Sequence, residues 1–325
     1  RLLLTGGKGF LGSYVVEHAL RMGARVVDVD CLTYAGDPQR FAEQPRHRYE
    51  HLQLDVAQLH VDQLRRLGPF DGAIHCAAES HVDNSLGTPD VALRTNVHGT
   101  MRVLECARWL DVPRVVIMST DEVAGSLSPT DPPTTERHPL RPSSPYSASK
   151  AAAELLALAW HRSYGLPVMV ARSTNAFGPG QHPEKLVPRA ITFALDGQPM
   201  PLFANGADAV RDWIYASDVA AGLWAVLMKG KPGEVYGLGA RCERRNGQVL
   251  DAVASLMPGA KIQTIPDRPG HDRRYASDPT KAERELGWRA TTEWGAGMER
   301  TVAWYRKNEP WWRAAIKRGG RWGLR

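Results

Sequence analysis

Ser119-Thr120-Asp121-Glu122-Val123 follows the apolar run Val115-Val116-Ile117-Met118. That order predicts the carboxyl end of a buried parallel strand, which is where open α/β sheets bind their ligands. A hydroxyl beside two adjacent carboxylates can supply a donor, an acid and a base in one site, provided their surroundings push the two carboxyl pKa values apart. Taken alone, the stretch could equally be a loop in which Asp121 and Glu122 cap the next helix. A second group follows at Tyr146-Ser147-Ala148-Ser149-Lys150. The i, i+4 spacing sets Tyr146 and Lys150 on one helix face, where the ammonium can lower the phenol pKa by favouring phenolate. A phenolate can take the proton of an alcohol whose carbon gives up hydride. The same spacing occurs on ordinary surface helices, so both groups depend on what positions them.

The positioning elements begin at the first residues. Leu2 to Leu4 and then Thr5-Gly6-Gly7-Lys8-Gly9-Phe10-Leu11-Gly12 read as a strand, a tight turn and a helix start. Such glycines let backbone approach a pyrophosphate, whose charge is met by free N–H groups at the helix N-terminus. An amphipathic helix from Ser13 to Met22 and a strand ending at Asp30 complete the unit. Asp30 lies near the offset of about 20 residues expected for an acid that accepts from the adenosine ribose hydroxyls, which favours NAD over NADP. A solvated strand-end acid is the alternative. Alternation continues with strands near 51–54, 72–77, 115–118 and 168–171, and helices near 61–67, 96–110 and 147–164. Strands alternating with helices predict a doubly wound parallel sheet.

Leu127 to Pro145 is rich in proline, serine and threonine and is expected to be a loop over the site. After Arg172 the pattern loosens around Gly178-Pro179-Gly180, Gln198-Pro199-Met200-Pro201 and Asp267-Arg268-Pro269-Gly270. We therefore place a dinucleotide-binding domain at 1–172 and a smaller, mixed α/β substrate domain over most of 173–325, with a strand near 234–238 expected to rejoin the first sheet. Six tryptophans, at 288, 294, 304, 311, 312 and 322, are expected to cover the small domain's core.

A chain of 325 residues can bury a substantial core. No apolar run approaches the roughly 20 residues of a membrane span, and the chain opens on a strand without a secretory pattern, so a cytoplasmic location is expected. The four cysteines, at 31, 76, 106 and 242, have neither metal-ligand spacing nor a disulfide framework, and no metal site is expected. Arginines are spread along the chain despite a net charge of +6, which fits a site for a diphosphate-bearing small molecule better than nucleic acid.

The whole pattern resembles the extended short-chain dehydrogenase/reductases, and within them the dTDP-glucose 4,6-dehydratases, over nearly the full length. The resemblance is carried by Thr5 to Ser13, Leu32-Thr33-Tyr34-Ala35-Gly36, Ala77 to Asp83, Thr95-Asn96-Val97, Ser119 to Val123, Tyr146 to Lys150, Gln181 to Pro188, Arg211 to Tyr215, Gly270 to Tyr275, Trp304-Tyr305 and Trp311-Trp312. It implies a Rossmann-type fold, NAD as cofactor, a nucleotide-sugar substrate, and a homodimer formed through the helices 96–110 and 147–164.

Cofactor contacts are implied for Gly6, Gly9, Phe10, Leu11, Gly12, Asp30, Leu32, Thr33, Gly36, Asp55, Val56, Ala77, Ala78, Ser80, Thr95, Ser119, Tyr146 and Lys150. Substrate contacts are implied for Ser80, Thr120, Asn175, Glu184, Lys185, Leu186, Arg211 and Arg273, with Asn175 and Arg211 on the diphosphate. The implied catalytic set is Thr120, Asp121, Glu122, Tyr146 and Lys150. In it Tyr146 is the oxidation base, Glu122 removes the C5 proton, and Asp121 protonates the departing C6 hydroxyl. His81 is expected to be a structural hydrogen-bonder near the cofactor, and His271 has no implied role. For Arg211 a surface ion pair with Asp212 is the alternative.

Departures from the family pattern gather on the substrate side. Ala124 stands where tyrosine is usual, Ala176-Phe177 replaces Asn-Tyr, Gly180 replaces a frequent tyrosine, and Phe203-Ala204-Asn205-Gly206 alters a turn. Lys8 replaces a small residue of the glycine turn. An enlarged sugar pocket and an unusual sugar nucleotide are the expectation these raise. An epimerase or decarboxylase, or a silent nucleotide-binding regulator, are the other classes. The Asp121-Glu122 pair argues against the former, and the joint presence of all five catalytic residues against the latter.

Overall fold

The computed structural model describes residues 1–266 and 272–320. The Gly270-His271 part of the last polar motif, the Asp267-Arg268-Pro269-Gly270 break and Trp322 therefore lie outside the described residues. Seven parallel strands form the main sheet, in the spatial order Val235–Leu238, Val168–Ser173, Val115–Thr120, Gly72–His75, Leu2–Thr5, Val26–Asp30 and Tyr49–Gln53. The first three strands of the chain step outward to one edge, and the strands from Gly72 onward step to the other. This reversal beside Leu2–Thr5 opens a crevice at the carboxyl ends of the strands.

The central strands are largely apolar because both faces are covered, whereas the edge strand Tyr49–Gln53 is polar and only partly buried. Leu2 and Leu4 face one core and Leu3 the other, the period of two that a pleated strand imposes. On the first face Val15, Val16 and Ala19 of helix Phe10–Arg21 pack with Val219, Ala220 and Leu223 of helix Ala216–Lys229. On the second, Val103, Leu104 and Ala107 of helix Gly99–Trp109 pack with Ala157 of helix Pro145–Tyr164.

A third core lies beyond the carboxyl edge of the sheet. It is built on strands Glu243–Arg245, Val210–Tyr215 and Asn175–Phe177, on the pair Ile262–Ile265 with Met200–Phe203, and on helices Leu186–Leu195, Asn246–Leu256, Trp294–Lys307 and Glu309–Gly319. Trp294, Trp304, Trp311 and Trp312 pack there. Trp288 does not: it sits in the main core, its indole N–H donating to the Asp218 carbonyl at 3.1 Å.

Two helices differ from expectation in ways that matter for the site. Helix Pro145–Tyr164 starts before Ser147, because Ser144 caps it with Ser147 and Pro145 takes the first helical position. Tyr146 thus lies in the first turn. Regular helix begins only at Gly99, after a π-helical turn over Leu93–His98. That turn carries Asn96, whose amide spans the Glu79 backbone (Glu79 N at 2.9 Å, Glu79 O at 3.0 Å) and reaches Ser149 Oγ at 2.8 Å. Among the described residues, no helix is long and apolar enough to cross a membrane.

Candidate active site

The glycine turn is shaped by steric need. Gly6 has φ +79°, and a Cβ there would lie 2.7 Å from Ala77 N; a Cβ on Gly12 would lie 1.9 Å from Gly6 O. Glycine is therefore required where strand, turn and helix meet. Asp30 accepts from Lys8 N at 2.9 Å and Leu32 N at 2.8 Å, so its carboxylate fixes both the turn and the strand end. Behind them His75 is fully buried, with Nδ1 2.6 Å from Thr5 Oγ1 and Nε2 3.0 Å from Thr100 Oγ1. Thr100 donates its own proton to Asn96 O, so Nε2 carries the imidazole hydrogen and Nδ1 accepts from Thr5. Burial drives the His75 pKa down to about 3, which keeps the ring neutral.

A cavity of about 570 Å³ opens above this turn, a volume suited to a cofactor. Gly6, Gly9 to Gly12, Asp30, Thr33, Gly36, Asp55, Val56, Ala77, Ala78, Ser80, Thr95, Ser119, Tyr146 and Lys150 all line it. Of the expected cofactor contacts, Leu32 alone is not on its wall; it takes a positive φ of 54° while donating its N–H to Asp30. Lys8 points away from the cavity. Its ammonium reaches the carbonyls of Arg40 and Pro38 and lies 5.2 Å from the Tyr49 ring.

Thr120 ends its strand and caps a short 3-10 turn, Asp121–Ala124, by accepting from Glu122 N at 3.3 Å. Because Ser144 caps the next helix, the capping alternative for Asp121 and Glu122 falls away. Both carboxyls are held above the usual range. Burial is the larger cause for each; Glu122 adds to the effect at Asp121, whereas Arg211 and Lys185 oppose it at Glu122. Asp121 is raised well above its ordinary value, chiefly by burial, which favours its neutral form.

Tyr146 and Lys150 are both buried and line the same wall. The expected depression of the phenol is not present here. Burial, Glu122 and Asp121 raise the Tyr146 pKa, with Thr120 acting the other way through a hydrogen bond. The Lys150 ammonium instead donates to Met118 O at 2.6 Å, and burial lowers its pKa to about 8.

Behind this strand end, Glu154 accepts from Ser119 Oγ at 3.1 Å and forms a buried, two-pronged pair with Arg172. Removing one partner of such a pair leaves an uncompensated buried charge, at a cost of about 3–5 kcal/mol. Glu154→Ala should therefore lower unfolding stability by about that amount in urea titrations; a loss below about 1 kcal/mol would show the pair to be solvated.

A second cavity, about 180 Å³, lies on the side of the third core. Asn175, Glu184, Lys185, Leu186 and Arg211 line it, together with Tyr275, Asn246 and Phe203, which motif matching did not single out as site residues. Tyr275 had a signal in the quoted polar motif; Asn246 had none. Ser80, Glu122, Asn175, Glu184 and Lys185 line both cavities, so the two spaces meet at the Glu122 carboxylate. Glu184 is raised to about 7, chiefly by burial. His81 lines this second cavity and not the first.

The Arg211 guanidinium lies 4.5 Å from the Tyr275 ring and donates to Val210 O and Asp272 O. Asp212 is buried elsewhere and accepts from Ala240 N and Cys242 N, so the surface ion pair is not what Arg211 makes. Arg273 is exposed and lines neither cavity, whereas Asp272 and Tyr275 on either side of it both line the second. Ala124 is likewise absent from both walls; it is buried at the end of the 3-10 turn, so its small side chain does not enlarge the sugar space. The segment between Ala124 and Pro145 carries no regular element and is pinned to 274–276 by Leu127 N and Thr134 N, with Ser144 reaching the second cavity.

Residues 3–301 match the family described as GDP-mannose 4,6 dehydratase. A probable dTDP-glucose 4,6-dehydratase of Sinorhizobium fredii is 41% identical, covering 100% of this chain and 99% of its own length. The dTDP-glucose 4,6-dehydratase of Streptomyces griseus is 43% identical over 98% of each. Among solved structures, DesIV, a dTDP-glucose 4,6-dehydratase from Streptomyces venezuelae with NAD bound, superposes with TM-score 0.92 at 42% identity, covering 97% of this chain and 99% of DesIV. A UDP-glucose 4-epimerase from Thermus thermophilus in complex with NAD gives 0.87 at 30% identity, over 95% and 99%.

Proposed function

Since this chain belongs to the nucleotide-sugar 4,6-dehydratases, we propose that it converts dTDP-glucose to dTDP-4-keto-6-deoxyglucose with NAD as catalytic cofactor. The observation that carries this reading is the meeting of the two cavities at Glu122, with Thr120, Asp121 and Tyr146 on the adjoining wall. The glycine turn, which leaves no room for a Cβ, and Asp30 at the strand end fit a dinucleotide. NAD held by the glycine turn and Asp30 would supply the acceptor for hydride from C4 of the hexose and the donor for its return to C6.

Tyr146 takes the proton of the C4 hydroxyl, and Thr120 and Lys150 orient the reacting groups. The 4-ketone so formed acidifies the C5 proton. Glu122 removes that proton, and Asp121, the carboxyl raised further, protonates the departing C6 hydroxyl. Water leaves across C5 and C6, and with the hydride that NAD would return to C6, a proton restores C5. Asn175 and Arg211 hold the diphosphate, for which a guanidinium supplies paired donors; Glu184 and Lys185 face the hexose. An epimerase would need only the first step, which leaves the buried Asp121-Glu122 pair without a task.

Two chains pair through the helices Gly99–Trp109 and Pro145–Tyr164, whose Trp109, Leu155 and Tyr164 are 62%, 57% and 50% exposed; light scattering giving a monomer mass would refute this. The enzyme works in the cytoplasm, where nucleotide sugars are made. Purified protein incubated separately with dTDP-, UDP- and CDP-glucose should release one water most rapidly from the dTDP sugar. Faster dehydration of another nucleotide would transfer the reading to that base, and no water loss from any would end it.

A further inference from the structure

Arg40 lies outside every motif that marks the cofactor cleft, yet it joins the two walls. Its Nη1 donates to the Gly9 carbonyl, to Ser13 Oγ at 2.9 Å and to Lys8 O at 3.4 Å, all on the glycine turn and its helix. Its Nη2 donates to Gly180 O at 2.6 Å, on the opposing segment that continues into the cavity-lining Gln181 and His182. Asp37 lies 3.7 Å from the guanidinium and accepts from the Trp311 indole N–H at 2.7 Å, which ties the assembly to the C-terminal helix. The side chain is 13% exposed, and a parallel bridge, Tyr14 OH to Pro179 O at 3.0 Å, spans the same gap. Gly180 is shaped for this contact: its φ is +75°, and a Cβ would stand 2.8 Å from Arg40 Nη2.

We propose that Arg40 is a positioning residue that clasps the glycine turn to the Gly178–Gly180 turn, sets the width of the dinucleotide cleft and slows release of the cofactor. A planar guanidinium can donate to both walls at once, which an ammonium cannot do with the same geometry. The benefit belongs to an enzyme whose cofactor ends each cycle as it began, so the inference rests on the proposed dehydratase chemistry.

The test uses holoenzyme carrying isotope-labelled NAD, chased with excess unlabelled NAD and with no sugar nucleotide present. Arg40→Met should accelerate release about tenfold or more, the scale of one or two charge-assisted hydrogen bonds. Its apparent KM for NAD should rise by a larger factor than kcat falls. Gly180→Ala, which keeps the charge but pushes the Cβ into the guanidinium, should also accelerate release, and Arg40→Lys should fall between parent and Arg40→Met. Parent-like release from Arg40→Met and Gly180→Ala, in proteins that melt where the parent does, would overturn the clasp. If Arg40→Met does not fold, Gly180→Ala and Arg40→Lys decide the question by the same readout. A parent protein that binds no NAD at all would defeat the dehydratase reading as well, whereas normal dehydration with unchanged release defeats only the clasp.

Discussion

Tyr146→Phe lowers the rate of C4 oxidation by about 10² to 10⁴-fold, the range of a positioned general base. The substitution removes one oxygen from a buried ring that already sits in the first turn of a capped helix, so fold and cavity are retained. With no 4-ketone formed, the C5 proton is never acidified, and every later step fails with the first. Single-turnover absorbance of the reduced nicotinamide should show no burst. Retained oxidation in Tyr146→Phe would move the base to another group, and Thr120, hydrogen-bonded to the phenol, would be the first to examine.

The second large effect separates elimination from oxidation. Asp121→Asn keeps size and hydrogen-bonding shape but cannot deliver a proton, and Glu122→Gln cannot accept one. Each should slow water loss by about 10² to 10⁴-fold while C4 oxidation persists, so the reduced cofactor accumulates. Asp121 acts in its neutral, protonated form and the amide that replaces it is neutral too, so the charge around Tyr146 is unchanged and oxidation in Asp121→Asn should be no slower than in the parent. The sign of the pH dependence follows from the same electrostatics. Elimination needs Glu122 ionised, so it declines as pH falls through the raised value of that carboxyl, and it needs Asp121 protonated, so it declines again as pH rises past the higher one. The two limbs belong to the pair as a coupled unit. Asp121→Asn should flatten the alkaline limb; an unchanged limb would assign the acid elsewhere.

Much of this was legible in the chain before any coordinates. The glycine turn, Asp30 at its strand end, the Ser-Thr-Asp-Glu strand end and the Tyr-Lys helix are local patterns, and local patterns fix where backbone goes. What could not be read is which long-range partner each side chain chooses. Lys150 turns to the Met118 carbonyl, Lys8 to the Pro38 and Arg40 carbonyls, and Arg211 to the Tyr275 ring; each depends on segments brought together only by the sheet. Arg273 and Ala124 were misjudged for one reason. Membership in a motif says which segment borders the site, but the irregular path of residues 272–275 and the burial of the 3-10 turn at Ala124 decide which side chains face the cavity. Trp288 shows a limit at the level of the core, since it packs with Leu286 in the main core whereas the later tryptophans Trp294, Trp304, Trp311 and Trp312 pack in the third.

The central claim is that hydride removed from C4 is stored and returned to C6 within a single active site. It is tested most directly by dTDP-glucose labelled with deuterium at C4, converted in ordinary water, with the converse reaction of unlabelled substrate in deuterated water. Label recovered at C6 of the 4-keto-6-deoxy product in the first reaction, and solvent deuterium at C5 in the second, is the predicted result. Label found again at C4 of a sugar that has lost no water would contradict it and identify an epimerase.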